Sequence, residues 1–221
     1  MKRFLALFSL ALPWPLRRAI LRAVFKYEIA DDARIGLSLV YPKTLVLKAG
    51  ARIGHLNVCK DIDRLELGES ASIGNLNWIT GFPTGLPGHF EHQADRRPEL
   101  VLGAHAAITN RHLVDCTERV HIGAFATFAG FASQLLTHSI NLETSRQEAR
   151  PITIGDYCFI GTNCVFLGGS ALPACSVLGA KSLLNRAYEE KYFLYGGVPA
   201  KPIKALPESL AYFQRKVGYV M

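Results

Sequence analysis

Histidine is the residue type in this sequence best suited to proton transfer near neutral pH, because its unperturbed pKa is about 6.5. His138 lies in the segment Leu136-Thr-His-Ser-Ile-Asn141. By type and spacing alone, a single histidine in a polar segment is more often a solvated surface residue than a base. The other histidines show no spacing typical of a zinc site, so no metal is expected. They are His55, His89, His92, His105, His112 and His121.

The five cysteines show no pattern typical of cross-linked or metal-binding sites. Their number is odd and no CxxC pair occurs, which argues against a disulfide framework and a zinc ribbon and favours a reducing compartment. Cys158, Cys164 and Cys175 fall in or beside the repeats described below. We interpret them as small packing residues rather than as nucleophiles.

The elements that must position such residues are constrained first by composition. The chain has 221 residues, of which 49% are hydrophobic and 19% charged, so it is long and apolar enough to build a core and is not disordered by composition. No apolar run reaches the roughly 18 residues that a membrane-spanning helix needs. The formal net charge of +7 suits a polyanionic ligand or surface without identifying it.

A six-residue repeat predicts the fold. Aliphatic or aromatic residues recur at every sixth position through the second half of the chain, and aliphatic-Gly pairs such as Ile154-Gly155 and Ile160-Gly161 mark many of the repeats. The row consists of Ile154, Ile160, Phe166, Leu172, Leu178 and Leu184. A period of six fits neither a helix nor a long strand, but it fits a short strand followed by a corner. Three such units make one coil, and the sequence predicts roughly six stacked coils of a parallel β-helix.

Two segments, 80–98 and 134–151, interrupt the repeat and are interpreted as loops that leave the coil, so both are candidates for the binding face. The predicted organisation is therefore an all-β solenoid with short terminal helices. It comprises an N-terminal helical segment at 1–34, a β-helix domain at 35–204 and a C-terminal helix at 205–221.

The N-terminus combines basic and apolar residues without a small-residue cleavage site, so we interpret it as retained. A helix is predicted from Leu16 to Tyr27. Two roles remain open for this segment: contact with an anionic membrane, or packing against the first coil. The basic residues are Lys2, Arg3, Arg17, Arg18, Arg22 and Lys26, and the apolar ones are Phe4, Leu5, Leu7, Phe8, Leu10 and Trp14.

The segments 152–169, Leu178-Gly-Ala-Lys-Ser182 and Gly197-Val-Pro-Ala-Lys201 together resemble the hexapeptide-repeat acyltransferases. The resemblance covers residues from about 35 to 204. It implies a left-handed parallel β-helix that forms a homotrimer and transfers an acetyl group from acetyl-CoA to a hydroxyl or an amine. We expect no metal and no nucleic-acid partner.

The resemblance also assigns site residues. His138 matches the histidine that acts as general base in that family. The cofactor residues that it implies run from the pantetheine arm to the nucleotide: Gly161, Thr162, Ala180, Lys181, Pro199, Ala200 and Lys201. Two departures put the shape of the groove in question, because Phe159 stands where many relatives have Trp and Leu172-Pro-Ala-Cys175 replaces a regular repeat.

The sequence-based hypothesis is thus an acetyl-CoA-dependent O-acetyltransferase acting on a sugar hydroxyl of a surface polysaccharide or its precursor. An N-acetyltransferase acting on an amino-sugar nucleotide and a noncatalytic β-helix scaffold are the alternatives. The expected location is the cytoplasm, with peripheral attachment at the inner face of the membrane as an open question.

Overall fold

The computed structural model describes residues 2–220 and the side chains from Leu5 to Val220, so the side chains of Lys2, Arg3 and Phe4 lie outside the described part. The chain begins with α1 (Lys2–Phe8), a 3-10 turn (Ser9–Ala11) and α2 (Trp14–Phe25). The second helix ends at Lys26, whose φ of 60° breaks the helical path. No helix within 2–220 has the length and hydrophobicity needed to cross a bilayer.

Helix α2 packs on the first coil through an unexpected pair of side chains. Leu21 and Arg17 are buried, whereas Leu16 and Val24 are exposed. The Arg17 guanidinium donates hydrogen bonds of 2.7 Å to the carbonyl oxygens of Gly36 and Ser38. One of the basic residues for which the sequence left both roles open therefore binds carbonyl groups at the end of the solenoid, which favours the packing role for this part of the segment.

Seven coils of three short strands follow. The first four coils are β1 (Glu28–Ile29), β2 (Arg34–Ile35), β3 (Leu39–Val40), β4 (Thr44–Leu47), β5 (Arg52–Ile53), β6 (Val58–Cys59), β7 (Arg64–Leu67), β8 (Ser72–Ile73), β9 (Trp78–Thr80), β10 (Glu99–Leu102), β11 (Ala107–Asn110) and β12 (Leu113–Asp115). The remainder are β13 (Val120–Ile122), β14 (Thr127–Phe131), β15 (Gln134–Leu136), an inserted pair β16 (His138–Asn141) and β17 (Arg146–Ala149), then β18 (Ile152–Ile154), β19 (Phe159–Ile160), β20 (Val165–Leu167), β21 (Ala171–Leu172), β22 (Val177–Leu178) and β23 (Leu183–Leu184). The chain closes with a hairpin, β24 (Phe193–Gly197) and β25 (Ala200–Ala205), and with α3 (Ala211–Gln214).

The strands of successive coils stack in parallel to form three faces. Face 1 contains β1, β4, β7, β10, β13, β18 and β21; face 2 contains β2, β5, β8, β11, β14, β19 and β22 and continues into β24 and β25; face 3 contains β3, β6, β9, β12, β15, β20 and β23. The register follows the hexad, because Ile154 pairs with Ile122 in the coil below and with Leu172 in the coil above. The aliphatic rows therefore stack into one continuous core.

The predicted core row is confirmed. Each of its six side chains is at most 1% exposed. They are Ile154, Ile160, Phe166, Leu172, Leu178 and Leu184. Burial of large apolar side chains along the whole axis is the main stabilising contribution expected in such a solenoid.

The boundaries differ from those predicted in a few places. The coil begins at Glu28 rather than at residue 35, because the first strand pairs with β4 although no aliphatic-Gly pair marks it. Thr80 and Gln134–Leu136 belong to coil strands β9 and β15, so the two insertions are shorter than predicted. The end of the predicted β-helix domain forms an antiparallel hairpin of β24 and β25. The C-terminal helix is shorter than predicted and spans only Ala211–Gln214 within the described residues.

Two corners of the solenoid matter for the site. The insertion corner joins face 3 to face 1, and both insertions leave the coil there: the loop at 81–98 and the hairpin β16–β17. The regular corner joins face 2 to face 3 and contains residues 161–164 and 179–182 in the last two coils, with no insertion at any level.

Candidate functional site

His138 lies at the insertion corner, as the first residue of β16 and two residues beyond the coil strand β15. It pairs with Ala149 at the base of the antiparallel hairpin. Its side chain is 32% exposed, so the imidazole is neither enclosed in the core nor freely solvated. The coil thus holds the backbone of His138 at the place where the chain begins to leave it.

Asp115 is the direct partner of His138. It is the last residue of β12, one coil below, and only 7% of its surface is exposed. Its Oδ2 atom accepts a hydrogen bond of 2.8 Å from Nδ1 of His138 and another of 3.0 Å from the backbone N–H of His138. The carboxylate therefore fixes both the backbone and the ring of the histidine.

Two threonines hold Asp115 in place. The Thr117 hydroxyl donates to Oδ1 at 2.6 Å, and the Thr137 hydroxyl donates to Oδ2 at 2.8 Å. Burial raises the pKa of the Asp115 carboxyl, but the hydrogen bonds from His138, Thr117 and Thr137 outweigh that effect, so the net pKa is below its ordinary value. Asp115 is therefore ionised at neutral pH.

The ionised carboxylate determines the tautomer of His138. A carboxylate can only accept hydrogen bonds, so Nδ1 of His138 carries a hydrogen, and in the neutral ring Nε2 has the lone pair. The hydrogen bond from Asp115 raises the pKa of His138, while partial burial opposes the rise. An imidazole oriented in this way by a carboxylate is a competent general base.

Aromatic residues of the loop at 81–98 flank the imidazole. The ring of Phe82 lies 5.5 Å and the ring of Phe90 6.1 Å from the ring of His138, both with their planes nearly perpendicular to it. Buried Arg96 holds the loop in this position by donating to the carbonyl oxygens of Phe82 and Thr117 and by lying 4.1 Å above the Phe90 ring. The loop therefore forms an apolar wall beside the candidate base.

The two insertions also contact each other. The Gln93 side chain donates to the carbonyl of Ala149 at 3.2 Å and accepts from its N–H at 2.9 Å. His89 Nδ1 lies 3.0 Å from the side-chain oxygen of Gln147. Both interruptions of the repeat thus join above one corner, which supports the prediction that they form the binding face.

Four of the predicted cofactor residues stack at the regular corner. A Cβ atom at Gly161 would lie 2.6 Å from the backbone nitrogen of Ala180, so only glycine fits under the next coil. The Thr162 hydroxyl donates to the carbonyl of Phe131 at 3.0 Å, and its own carbonyl accepts from the N–H of Lys181 at 2.9 Å. Gly161, Thr162, Ala180 and Lys181 therefore form a continuous strip along the axis.

The other three predicted cofactor residues lie in the final hairpin above this strip. Pro199 follows a cis peptide bond, and Ala200 and Lys201 pair with Gly197 and Gly196 of the opposite strand. The N–H of Gly197 donates to the Ser182 hydroxyl at 3.1 Å, which ties the hairpin to the regular corner. The structure thus brings together the seven residues that the resemblance linked to a cofactor.

His138 is not part of that strip. It lies at the other end of face 3, and Leu136 in its coil pairs with Leu167. A turn at Asn163, whose φ is 57°, and the whole strand Val165–Leu167 separate Thr162 from the level of Leu167. Within one chain, the candidate base and the strip therefore lie at different corners.

The remaining histidines and cysteines do not form a further reactive centre. Among the described residues no three His, Cys, Asp or Glu side chains are grouped as metal ligands would be. Burial lowers the pKa of His112 to about 4, so this histidine stays neutral. Burial raises the pKa of the Cys158 thiol to about 12, which fits the packing role predicted for it.

The sequence did not identify Asp115, Phe82, Phe90 or Arg96 as site residues. A signal for Asp115 existed in the repeat, because the register that stacks Val114 on Leu135 also places residue 115 beneath the start of the second insertion. No comparable signal exists for the two phenylalanines, since their positions depend on the path of a loop outside the repeat.

Comparisons with known proteins identify the architecture. No protein-family profile matches the sequence, and no curated protein matches it significantly. A variant of the N-acyltransferase AntD from Bacillus cereus, solved in complex with dTDP-4-amino-4,6-dideoxyglucose and coenzyme A, superposes with a TM-score of 0.60 and 12% identity over 90% of this chain and 93% of that chain. The polySia-specific acetyltransferase NeuO gives a TM-score of 0.50 and 15% identity over 81% and 80% of the two chains.

This chain is a left-handed parallel β-helix of the hexapeptide-repeat type. A hexapeptide-repeat acetyltransferase from Vibrio cholerae also matches, with 20% identity over 93% of this chain and 89% of that chain and a TM-score of 0.47. The predicted fold class is confirmed. The left-handed β-helix departs from the usual right-handed connection between parallel strands, which no periodicity in a sequence reveals.

Proposed function

We propose that this β-helix is an acetyltransferase that transfers an acetyl group from acetyl-CoA to a sugar hydroxyl, with His138 as general base. The observation that carries the proposal is the hydrogen bond of 2.8 Å between Nδ1 of His138 and the buried carboxylate of Asp115. It gives the imidazole one defined tautomer and raises its pKa. A histidine that served only as a surface residue would not need beneath it a buried carboxylate that accepts six hydrogen bonds.

The proposed reaction uses this geometry. Nε2 of His138 takes the proton of the acceptor hydroxyl as the oxygen attacks the thioester carbonyl. The resulting imidazolium is stabilised by the Asp115 carboxylate. The tetrahedral intermediate then collapses by breaking the C–S bond, and the imidazolium returns its proton to the leaving thiolate. The products are an acetyl ester and free CoA.

The strip at the regular corner is proposed to hold CoA. Lys181 in the middle and Lys201 at the hairpin end are exposed cations on a surface otherwise made of small residues, and CoA carries several phosphate charges. Gly161 and Thr162 would lie beside the pantetheine arm, Ala180 and Lys181 farther along, and Pro199 and Ala200 near the nucleotide. AntD was solved with coenzyme A, which is consistent with this use of the fold.

A hydroxyl acceptor is favoured over an amine because a hydroxyl has the greater need of a general base. An alcohol is far too weakly acidic to ionise at neutral pH and needs a base in the transition state, whereas an amine that has lost its proton is already a nucleophile. AntD is an N-acyltransferase bound to an amino-sugar nucleotide, and NeuO is a polySia-specific acetyltransferase, so the amide alternative has its own support in the comparisons. Both motivate a sugar as the acceptor.

A closed cyclic trimer is proposed to complete the site. The strip and His138 lie at different corners of one chain, and a neighbouring copy is needed to bring one corner against the other. Exposed apolar side chains follow the regular corner and face 3, where a partner would cover them. They are Leu37, Leu56, Leu76, Trp78, Leu113 and Phe131. Sedimentation should show a trimer that Leu56→Asp dissociates, and a stable, active monomer would overturn this part of the proposal.

Peripheral membrane contact through the N-terminus is also proposed, with less uncompensated positive charge than the sequence suggested. Arg18 and Arg22 lie within 3.7 Å and 3.0 Å of the Asp31 carboxylate, which offsets part of the predicted positive charge. The exposed apolar side chains that could enter a membrane interface are Leu7, Phe8, Leu16 and Val24. Deleting residues 2–15 should reduce sedimentation with anionic vesicles, and unchanged sedimentation would leave the segment with its packing role only. The cytoplasm, at the inner face of the membrane, is the proposed location.

The decisive experiment is an acceptor screen. Purified protein is incubated with acetyl-CoA and a panel of sugars and surface glycans, thiol release is followed, and products are read by mass. An added acetyl group that mild alkali removes identifies an ester, and one that survives identifies an amide. Failure to bind CoA or to release thiol with any acceptor would favour the noncatalytic scaffold.

A further inference from the structure

A cavity lies at the insertion corner, below the candidate base. It has a volume of about 420 Å³ and is lined by the end of α2, the corners of the first two coils and the start of the loop at 81–98. The lining residues used below are Tyr27, Tyr41, Pro42, Lys43, Asp61 and Pro83. The volume lies in the range of small-ligand pockets.

The side chains of this cavity combine aromatic rings with one carboxylate. Tyr41 is half-buried, and Asp61 lies within 2.9 Å of the Lys60 ammonium group with 31% of its side chain exposed. Tyr27 is buried and its hydroxyl donates to the carbonyl of Pro42 at 2.6 Å, so it supports the wall. A sugar ring offers an apolar C–H face that stacks on an aromatic ring and hydroxyls that donate to a carboxylate.

The charges of the cavity disfavour a nucleotide. Lys43 lies 2.6 Å from the carboxylate of Asp63 and also donates to Thr84, so its charge is already compensated. Asp61 is paired in the same way with the ammonium group of Lys60, so the charges of this part of the lining are balanced. A diphosphate would find neither lysine uncompensated, whereas a neutral saccharide needs no counter-charge.

The loop at 81–98 links the cavity to the surroundings of His138. Pro83 lines it, and the preceding residue, Phe82, is the aromatic neighbour of the imidazole. The following residue, Thr84, donates its hydroxyl to Asp63 at 2.6 Å, which fastens the loop to the second coil. Three consecutive loop residues therefore connect the cavity to the candidate base.

The distance suits a ligand of several sugar units. Asp61 lies at the corner of the second coil and His138 at that of the fifth. Stacked strands are about 4.8 Å apart, so three steps span about 14 Å along the axis. A single monosaccharide at His138 would not reach the cavity.

We propose that the cavity around Tyr41 and Asp61 is a distal acceptor subsite that binds one unit of an oligosaccharide whose reacting hydroxyl lies at His138. This inference rests on the proposed function and makes the acceptor an extended glycan rather than a monosaccharide or a nucleotide sugar. Tyr41 supplies the stacking surface, Asp61 accepts hydrogen bonds from sugar hydroxyls, and the loop at 81–98 guides the chain between the two ends.

The test uses a printed array of bacterial surface glycans together with their constituent monosaccharides, probed with the full-length protein in the presence of CoA. The wild type should bind at least one oligosaccharide more tightly than its monosaccharides. Tyr41→Ala should weaken that binding by about three- to tenfold, the range expected for loss of one aromatic stacking contact. Tyr219→Ala removes an exposed tyrosine from the far side of the solenoid and should bind as the wild type does.

A second variant protects the test against misfolding. Asp61 has a φ of 55°, a conformation that asparagine tolerates as well as aspartate does. Asp61→Asn therefore keeps the corner intact while removing the carboxylate, and it should also reduce oligosaccharide binding. Wild-type binding by both variants, or a wild type that prefers no oligosaccharide over its monosaccharides, would overturn the subsite.

Failure of the subsite can be separated from failure of the proposed function. His138→Ala should retain oligosaccharide binding while losing transfer. Transfer to a monosaccharide with no response to Tyr41→Ala or Asp61→Asn would refute the subsite and leave the acetyltransferase standing. Oligosaccharide binding that depends on Tyr41, without thiol release by the wild type, would refute the acetyltransferase and leave a glycan-binding solenoid.

Discussion

The insertion corner and the regular corner belong to the same seven coils but use them differently. At the regular corner the chain turns tightly at every level, and Gly161 lies so close to Ala180 that a Cβ atom would overlap the backbone. At the insertion corner the chain leaves the coil twice, and the Asp115–His138 pair lies at the base of the second departure. The regular corner provides a smooth strip, and the insertion corner provides titratable side chains.

This contrast shows how a repetitive fold acquires chemistry. A solenoid of identical turns presents small residues in rows, which suit an extended ligand but hold no isolated acid–base group. Interrupting the repeat places Thr137 and His138 directly above Asp115, so the rigid coil orients the first residues of the insertion. The predictions below test whether catalysis, stability and cofactor binding divide between the corners in this way.

The largest effect is expected at the base itself. His138→Ala should lower turnover by about 10²–10⁴-fold, the usual contribution of a general base, because the hydroxyl proton then has no acceptor. The side chain is outside the hexad core, so thermal unfolding and CoA affinity should change little. Steady-state kinetics with the acceptor found in the screen, together with calorimetry of CoA binding, would measure this separation.

The matched control is His92→Ala, which removes an exposed histidine from the loop at 81–98. It should retain wild-type turnover. Near-normal turnover by His138→Ala at pH 7 would instead require another base at the insertion corner.

The next effect concerns stability and lies in the regular coils. Ile160 is fully buried beside the strip, and Ile160→Ala should lower the free energy of unfolding by about 2–5 kcal/mol through lost apolar burial and a residual cavity. Ile140→Ala changes the same residue type in the hairpin, where 63% of the side chain is exposed, and should cost less than about 0.5 kcal/mol. Urea unfolding of both variants gives the comparison, and equal costs would show that the hairpin belongs to the core.

A smaller loss of turnover is expected when Asp115, the partner of the base, is replaced. Asp115→Asn replaces a charge-assisted hydrogen bond with a neutral one. The loss of a charge-assisted hydrogen bond costs about 1.5–3 kcal/mol, or roughly 10- to 100-fold in turnover. Asp115 raises the pKa of His138, and the base acts only when neutral, so activity falls as the pH drops through that raised pKa. The substitution should therefore move the acidic limb of the pH–rate profile to lower pH.

Thr117→Val tests the same carboxylate from its other side. It removes the hydroxyl that donates to Asp115 Oδ1 without touching His138, so it should reduce turnover less than Asp115→Asn does. An acidic limb that stays in place in Asp115→Asn would contradict the positioning role of the carboxylate.

The same contrast explains what could be predicted from the sequence. The core row from Ile154 to Leu184 follows from a strict period, because every coil repeats the same local geometry. The residues of the strip were instead assigned by the resemblance to the hexapeptide-repeat acyltransferases. The burial of Arg17 could not be predicted, because it depends on the carbonyl groups of Gly36 and Ser38 at the end of the solenoid, which composition does not reveal. Phe82 and Phe90 could not be identified from the sequence, because tertiary contacts of a loop, rather than spacing, bring them to His138.

The smallest effect is expected at the nucleotide end of the strip. Lys201 is exposed in β25, where its ammonium group is proposed to attract a phosphate of CoA. Exposed ion pairs contribute about 0.2–1 kcal/mol, so Lys201→Ala should raise the KM for acetyl-CoA by roughly two- to fivefold without changing kcat. The increase should be smaller at high salt, because mobile ions screen an exposed charge.

Lys204→Ala removes an exposed lysine from the same strand and serves as the control, since the resemblance assigns it no cofactor contact. Equal increases in KM for both variants would indicate attraction by the overall positive charge of the chain rather than by Lys201. No increase in either variant would show that the nucleotide does not bind at this hairpin.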